Sequence, residues 1–154
     1  MSADKINFLR TELLLLLEKV NADAKARWGK MDAQQMIEHL AYFFDMSAGK
    51  IQTTLVTPEE HLPKYRDFLY SDKEFRENTK APESIIPVEP LPAQLPSLID
   101  AMEKLKLSID GFLEHFSMEP GAKTLHPVFG WLSFEDWLML HYKHVNHHLR
   151  QFTA

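Results

Sequence analysis

Residues 134–153 contain four of the eight histidines of this 154-residue chain. On an α-helix, at 100° per residue, His141, His144 and His148 fall within an arc of about 60°. Trp137 shares this arc, so the imidazoles are expected on the buried side, where each must satisfy a donor and an acceptor. A metal ion satisfies several rings at once, and histidines four residues apart can converge on one ion. The sequence therefore predicts that His144 and His148 bind a metal.

A third histidine lies on the apolar face of another predicted helix. His39 is flanked by Met36, Phe43 and Met46, all within about 60° of it on the helix. Two histidines from one helix and one from a second form a three-nitrogen site, which leaves a position open for water or substrate. Two alternatives stay open: His39 is a core histidine bonded to a tyrosine or a backbone carbonyl, or the histidines form a buried hydrogen-bond network without a metal.

Two further histidines are candidates for catalysis. His141 shares the arc and could pair with His144 at a spacing of three, or line the cavity one turn away. His126 precedes a proline in the loop that leads into the last helix, so it could reach the mouth of the site or serve only as a turn residue. Either could act as general base or support a metal ligand, since the ordinary pKa of histidine lies near neutrality. The other histidines are expected on a flank or at the surface: His147, His61 and His115.

The composition argues against several other kinds of site. The chain contains no cysteine, which removes disulfides, cysteine zinc sites and a cysteine nucleophile together. The HExxH motif of zinc proteases and the paired Glu-x-x-His motif of di-iron bundles are both absent. Only five glycines are present, and none lies in a phosphate-binding loop. The histidines therefore remain the strongest indication of chemistry.

Charge and hydropathy bear on partners and location. Lys plus Arg total 17 and Asp plus Glu total 22, a net charge of −5, and no basic patch with interleaved aromatics occurs. The apolar run 13–17 is too short to span a bilayer. We expect a cytoplasmic protein that acts on a small molecule and binds neither nucleic acid nor membrane. An exposed apolar helix face could support a homodimer, which the sequence does not decide.

Apolar residues repeat at spacings of three and four in four long segments: 4–22, 32–48, 94–116 and 134–153. Asp32 with Gln35, and Ser133 with Asp136, have the spacing of paired capping residues at helix starts. Thr57 is expected to cap a short fifth helix that begins with the following proline and reaches about residue 69. These signals predict where three of the five helices begin.

Two long connections, 71–92 and 117–132, lack helical periodicity. The first contains several prolines and is expected to lie on the helices as a wall or lid of a binding site. Gly49 is expected to end the second helix. No alternating apolar pattern is long enough for a sheet. The sequence predicts an all-α single domain over residues 1–154, a four-helix bundle with one short extra helix and long connections.

The order of these features resembles the DinB/YfiT superfamily of metal-dependent enzymes. That family has a histidine in the middle of its second helix, which corresponds to His39 within the segment WGKMDAQQMIEHL at 28–40. It also has an HxxxH motif followed three residues later by glutamine near the end of its last main helix, here His144, His148 and Gln151. The similarity covers nearly the whole chain in order and length.

The loop before the last helix, HPVFGWLS at 126–133, is similar too, whereas Leu149-Arg150 replace the usual Arg-Gly after the motif. The resemblance implies an up-down-down-up four-helix bundle with a divalent metal, zinc or nickel among the candidates, bound by the three matching histidines. Members of known activity include an isomerase and S-transferases that use bacillithiol, mycothiol or glutathione. The expected function is therefore a metal-dependent transferase using a low-molecular-weight thiol, or a hydrolase. The alternative is a bundle protein that binds a metal or ligand without catalysis.

Overall fold

The structure, a computed structural model, describes residues 2–20, 23–76 and 92–152, which are mostly helical. Its elements in chain order are α1 (Ser2–Asn7), a π-helical turn (Phe8–Glu12), α2 (Leu13–Glu18), α3 (Ala33–Ser47), a 3-10 turn (Glu59–His61), α4 (Leu62–Tyr70), α5 (Leu98–Met118), β1 (Thr124–His126), β2 (Gly130–Leu132) and α6 (Phe134–Phe152). Among these residues, no helix combines the length and the apolar character needed to cross a bilayer. A predominantly helical fold is confirmed, with a small sheet added to it.

The first predicted helix forms α1, the π-helical turn and α2 in succession. Leu9, Leu13 and Leu17 repeat every four residues and are buried in the core. The sequence pattern does not indicate the π-helical turn. The helix ends at Glu18, with Lys19 as its C-cap, so the prediction that it continues to residues 21–22 is wrong; those two residues themselves lie outside the described residues.

α3 begins and ends close to the predicted positions. The Asp32 side chain accepts the backbone N–H of Gln35 at 2.8 Å, and Gln35 Oε1 accepts the N–H of Asp32 at 2.8 Å, which confirms the capping pair. After Ser47 the chain turns at Gly49, whose φ of +76° is a value that glycine adopts without strain. Both boundaries of this helix follow from local chemistry.

α4 follows the 3-10 turn, close to the predicted fifth helix. The prediction that Thr57 caps it is wrong. The 3-10 turn starts with the N–H of His61 bonded to the carbonyl of Pro58 at 2.9 Å, without a side-chain cap. The first hydrogen bond of the turn is therefore accepted by the proline itself, one residue later than a cap at Thr57 requires.

A buried carboxylate ties α4 to the start of α6. Asp136 is 1% exposed, and it accepts hydrogen bonds from Arg66 Nη1 at 2.9 Å and the Tyr70 hydroxyl at 2.6 Å. It also accepts the N–H of Ser133 at 3.0 Å, while Ser133 Oγ accepts the N–H of Asp136 at 3.3 Å, which confirms the predicted cap. Burial alone would raise the pKa of Asp136, but these hydrogen bonds hold it below its ordinary value. Burial and the bond to Asp136 raise the pKa of Tyr70 to about 12.

α5 begins at Leu98 rather than at the predicted residue 94. Its cap is Ser97, which has extended backbone and whose side chain accepts the N–H of Asp100 at 3.2 Å. The earlier start is wrong because Pro96 disfavours helical conformation in the residue before it.

The connection 117–132 contains β1 and β2, so the prediction that no sheet is present is wrong. The two strands pair antiparallel, with Leu125 opposite Trp131. The segment before α4 holds this hairpin, since the N–H of Val56 donates to the carbonyl of Pro127 at 2.8 Å. Strands of three residues are too short to produce a visible alternation in the sequence.

α3 and α5 lie side by side and run in the same direction. Near the start of α3, Gln34 Nε2 donates to the carbonyl of Leu95, just before α5, at 2.8 Å. Near the end of α3, Asp45 pairs with Lys104 of α5 at 2.9 Å. The apolar faces of both helices form much of the core.

The first helical segment and α6 also run in the same direction. Ser2 Oγ donates to Glu135, at the start of α6, at 2.8 Å. Further along both helices, Phe8 packs on Tyr142 with ring centroids 5.4 Å apart. The chain after the first segment therefore reaches the far end of α6.

Candidate metal centre

α6 runs antiparallel to α3, which brings the histidines of the two helices together. At one end of the pair, His141 lies beside Ser47, the last residue of α3, with 2.9 Å between Nε2 and Oγ. Towards the other end, the rings of His144 and His148 lie 5.0 and 4.8 Å from the ring of His39. The crossing of two long helices thus positions all three rings.

The imidazoles of His39, His144 and His148, here called the His triad, direct their Nε2 atoms towards one another. Nε2 of His144 lies 3.1 Å from Nε2 of His39 and 3.1 Å from Nε2 of His148. The three ligand atoms lie within 4.8 Å of one another, and the group contains no carboxylate. Two nitrogens bound to zinc at about 2.0–2.1 Å with a tetrahedral angle are about 3.3 Å apart. The His triad therefore lies close enough to bind a metal ion.

Gln151 fixes which nitrogen of His148 carries the proton. Its Nε2 donates to the carbonyl of Trp28 at 3.1 Å, so its Oε1 faces Nδ1 of His148, 2.5 Å away. Because this oxygen can only accept, Nδ1 of His148 carries the hydrogen and its Nε2 presents a lone pair to the triad. Metal-binding histidines commonly donate their other ring nitrogen to an oxygen in this way.

The loop at residues 23–31 holds Gln151 in place. The N–H of Arg27 donates to the backbone carbonyl of Gln151 at 2.7 Å, one residue before Trp28 accepts the side chain. Gly29 has a φ of +79°, and a Cβ built there would lie 2.9 Å from Nε2 of Gln151. Glycine, which has no Cβ, therefore adopts this backbone conformation without strain and leaves room for the Gln151 side chain.

Hydrogen bonds cannot satisfy the three facing nitrogens equally well. With Nε2 of His148 unprotonated, a hydrogen on Nε2 of His144 would be divided between two neighbours. Without that hydrogen, the lone pairs of His144 and His148 would face each other across 3.1 Å. A metal ion accepts one lone pair from each ring. The donor set thus fits a metal better than a hydrogen-bond network.

Burial keeps the His triad neutral. Burial, and to a lesser degree His147, lowers the pKa of His39 to about 4. Burial, followed by the neighbouring imidazoles, also lowers the pKa of His144 and of His148 well below its ordinary value. The three rings are therefore unprotonated at neutral pH, which is the form that binds metal ions.

Solvent reaches the His triad from the side of two of its members. His39 and His144 are partly exposed, whereas His148 is 5% exposed. The ring of Phe43 lies 5.0 Å from His39 and 5.2 Å from His144, and that of Phe75 lies 6.4 Å from His144. Two aromatic rings therefore lie beside the triad: Phe43, which is 7% exposed, and Phe75, which is partly exposed.

His141, a candidate base or ligand from the sequence, does not join the His triad. Its ring stacks on Phe44 at 3.9 Å and on Trp137 at 5.3 Å, and it is 1% exposed. Ser47 Oγ donates to the carbonyl of Phe44 and is therefore placed to accept from Nε2 of His141. Burial lowers the pKa of His141 well below its ordinary value, so the expected pKa near neutrality is not found.

His126, the second catalytic candidate, closes the turn between β1 and β2. Its Nδ1 accepts the backbone N–H groups of Val128 at 3.0 Å and Phe129 at 3.2 Å. Its ring stacks on Phe43 at 5.8 Å, and burial lowers its pKa to about 3 rather than leaving it near neutrality. The geometry is that of the alternative turn residue, since the lone pair that a base would use is already bonded to the backbone.

The remaining histidines match the expectations only in part. His147, expected on a flank or in solvent, is 6% exposed and packs on Trp28 at 5.7 Å and Phe75 at 5.8 Å. His115, expected at the surface, is partly buried, and His61 is exposed as predicted.

Two residues contribute to the site without being found from the sequence. Phe75 belongs to the connection expected to form a wall, but no pattern distinguishes it from the chain's other phenylalanines. Gly29 interrupts a polar loop, which signals a turn but not the close approach of Gln151. Both act through contacts between distant parts of the chain.

No curated protein and no solved structure matches the chain. The sequence profile of one family, described as "Protein of unknown function (DUF1569)", matches residues 69–154, more than half of the chain. The matched part includes His144, His148 and Gln151, whereas His39 lies before it. The chain therefore belongs to the DUF1569 family.

Proposed function

We propose that this protein is a metal-dependent enzyme whose divalent ion, zinc or nickel, is bound by His39, His144 and His148. The observation that carries the proposal is the convergence of three Nε2 atoms, with the Nε2 of His144 3.1 Å from each of the other two. Gln151 supports it by directing the lone pair of His148 inward. Three nitrogen ligands leave at least one position for water or substrate, as catalytic metal sites do.

The proposal includes the fold, an up-down-down-up four-helix bundle of the DinB/YfiT type. Its four helices would be the first helical segment, α3, α5 and α6, with α4 as the short extra helix. The parallel pairing of α3 with α5, the parallel pairing of the first segment with α6, and the antiparallel pairing of α3 with α6 support this order. The His triad then lies across the second and fourth helices of the bundle.

A divalent ion at the His triad would supply Lewis-acid chemistry, because it lowers the pKa of a bound water or thiol. Three neutral imidazoles offset none of its charge, so the site favours an anionic ligand. Since the chain has no cysteine, a thiol would come from outside. The proposed reaction is attack of a low-molecular-weight thiolate on a small electrophile, which would form a carbon–sulfur bond while a leaving group departs with the electron pair of the broken bond; the alternative is attack of water on a small molecule, with the same kind of departure. The rings of Phe43 and Phe75 place apolar surface beside His144.

Metal content tests the proposal. The purified chain is demetallated, incubated in turn with zinc, nickel, manganese and iron, desalted and analysed for metal. We expect one zinc or nickel ion per chain, lost in His39→Ala and His148→Ala but retained in His61→Ala, which changes an exposed histidine. If the unmodified chain retains none of the four metals at this ratio, the proposal is wrong.

A second candidate function is a metal- or ligand-binding bundle protein without catalysis. It is supported by the position of the His triad across α3 and α6, because an ion there would stabilise the folded form whatever else it does. The His39→Ala variant separates the two candidates. A structural ion predicts a large loss in the free energy of unfolding, whereas a catalytic ion predicts a loss mainly of turnover with a thiol and an electrophile.

A further inference from the structure

Residues 71–76 follow α4 and are held against α6 by two cations. Lys143 Nζ donates to two backbone carbonyls of this segment, that of Ser71 at 2.8 Å among them. About two turns further along α6, Arg150 pairs with Glu74 at 3.0 Å. The same helix that supplies two members of the His triad therefore also fixes the course of this segment.

This attachment places the ring of Phe75 beside the His triad. On one side Phe75 packs on Phe68 of α4 at 5.1 Å, and Lys143 Nζ lies 4.8 Å from the centre of the Phe68 ring. On the other side Phe75 lies 6.4 Å from His144 and 5.8 Å from His147. The ring is thus supported from behind and faces the histidines edge-on.

Two aromatic rings lie beside His144, one of the two partly exposed members of the His triad. Phe43 covers His39 and His144 from one direction, and Phe75 approaches His144 from the segment after α4. Two aromatic rings that stack or meet edge-on contribute about 0.5–1.5 kcal/mol of favourable free energy beyond that from burying their surface area. A ligand with a flat apolar body would gain this contact, and a hydrophilic ligand would not.

We propose that Phe75 is a specificity-determining residue, which makes the metal site prefer thiols carrying an aromatic body over small hydrophilic thiols. This inference rests on the proposed function, because the thiol must be bound at the His triad. The gain from one aromatic contact corresponds to a preference of about 2- to 10-fold. Phe75 acts on binding and takes no part in bond making.

The test uses the full chain loaded with cobalt(II) as a spectroscopic stand-in for zinc. Benzenethiol and 2-mercaptoethanol are titrated separately, and the thiolate-to-cobalt absorption gives an affinity for each. The ratio of the two affinities is compared between the unmodified chain and Phe75→Leu, so that intrinsic differences between the thiols cancel. We expect the ratio to fall about 2- to 10-fold in Phe75→Leu while the affinity for cobalt stays within about 2-fold.

Phe8→Leu is the matched control, because Phe8 packs on Tyr142, a position of α6 outside the His triad. It should leave the ratio unchanged. Leucine is chosen at both positions because it retains apolar volume and removes only the ring.

The outcomes distinguish this inference from the proposed function. If cobalt does not bind to the unmodified chain, the metal site and the inference both fail. If cobalt and both thiols bind but Phe75→Leu has the same ratio as the unmodified chain, Phe75 does not determine specificity, although the metal site stands. A ratio that falls equally in Phe8→Leu would also contradict the inference, because the effect would not be local to Phe75.

Discussion

At the residue scale, the contact between His148 and Gln151 determines what the site can bind. The amide of Gln151 can turn either way in principle, but the carbonyl of Trp28 accepts its N–H and directs its oxygen at Nδ1 of His148. That choice places the hydrogen on Nδ1 and the lone pair on Nε2. A single side chain on the last turns of α6 thus sets the tautomer of a metal ligand.

Replacing Gln151 with Leu should weaken metal binding by about 10- to 100-fold, the usual effect of losing the partner of a metal-bound histidine. The ring of His148 would lose its fixed tautomer and orientation. The measurement is zinc affinity by competition with a chelating dye. Asn146→Ala is the control, since the Asn146 amide donates to the Tyr142 carbonyl of its own helix, and zinc affinity should not change. Equal affinities in the unmodified chain and Gln151→Leu would exclude this role.

Stability should fall in acid because buried histidines stay neutral in the folded chain. Burial lowers the pKa of His126 to about 3, whereas its pKa in the unfolded chain is about 6.5. Below pH 6.5 the unfolded state binds the proton first, so the free energy of unfolding decreases by about 1.4 kcal/mol per pH unit for this residue. Above pH 7 the contribution vanishes.

Urea unfolding with a chelator present, at several pH values between 4 and 7.5, measures this slope. In His126→Asn, whose side-chain oxygen can still accept the turn's N–H groups, the slope between pH 4 and 6 should be smaller by about 1.4 kcal/mol per unit. His61→Asn, at an exposed histidine, is the matched control. An unaltered slope in His126→Asn would show that His126 can take up a proton in the folded chain.

The sequence predicts the members of the His triad but not the partners and the burial of His126, His141 and His147. Helical spacing places His144 and His148 on one face of the last helix. The apolar neighbours of His39 place it on the buried face of the second predicted helix. The same arc includes His141, and spacing cannot show that its partner is Ser47, 94 positions away along the chain. Tautomers depend on such distant partners, so they appear only in the folded structure.

At the element scale, the loop at residues 23–31 acts as a support for the end of α6. It contacts α6 through backbone atoms of Arg27 and Trp28, both bonded to Gln151. Gly29 lies next to these contacts with a φ of +79°. The loop therefore helps to position Gln151, and through it His148, without contributing a metal ligand.

Gly29→Ala should weaken zinc affinity and lower stability, because its Cβ would lie 2.9 Å from Gln151 Nε2 and the backbone would be strained. We expect a loss of about 1–3 kcal/mol in the free energy of unfolding and a weaker zinc affinity, measured by urea unfolding and dye competition. Gly121→Ala is the matched control, since a Cβ there meets no atom within 4 Å. If both glycine variants behave alike, the close approach has no consequence.

Asp136→Ala should destabilise the chain by about 2–3 kcal/mol, because the carboxylate's bonds to Arg66 and Tyr70 of α4 and to the N–H of Ser133 are lost together, whereas the N–H of residue 136 can still donate to Ser133 Oγ. The partners Arg66 and Tyr70 are partly exposed and regain water, which limits the loss. Thermal or urea unfolding measures the change. Glu135→Ala removes the exposed neighbouring acid together with its surface bond to Ser2 Oγ, and should lower the free energy of unfolding by no more than about 1 kcal/mol. A loss in Asp136→Ala no larger than in Glu135→Ala would contradict the role of this carboxylate.

Helix boundaries can be predicted where a local cap determines them. The Asp32–Gln35 pair and the Ser133–Asp136 pair predict the starts of α3 and α6 because their bonds involve residues three apart. The β1–β2 hairpin could not be predicted, because its strands are short and its register depends on the turn closed by His126. The interpretation of Asp136 as a capping residue of α6 misses its bonds to Arg66 and Tyr70, because these partners are distant in the chain.

At the scale of the whole molecule, the relative directions of the helices bring the histidines of the site together. α3 and α6 run antiparallel, so a histidine in the middle of one meets a pair near the end of the other. The family match covers the part of the chain that supplies His144 and His148, and His39 comes from the part before it. The site therefore depends on the association of two separate parts of the chain and not on either alone.

The most direct test is a crystal structure of the zinc-loaded chain with anomalous diffraction measured at the zinc edge. The account predicts one anomalous peak between α3 and α6, about 2.0–2.1 Å from Nε2 of His39, His144 and His148, with Nδ1 of His148 still bonded to Gln151. A peak elsewhere, or an ion at this place that omits His39, would contradict the central claim.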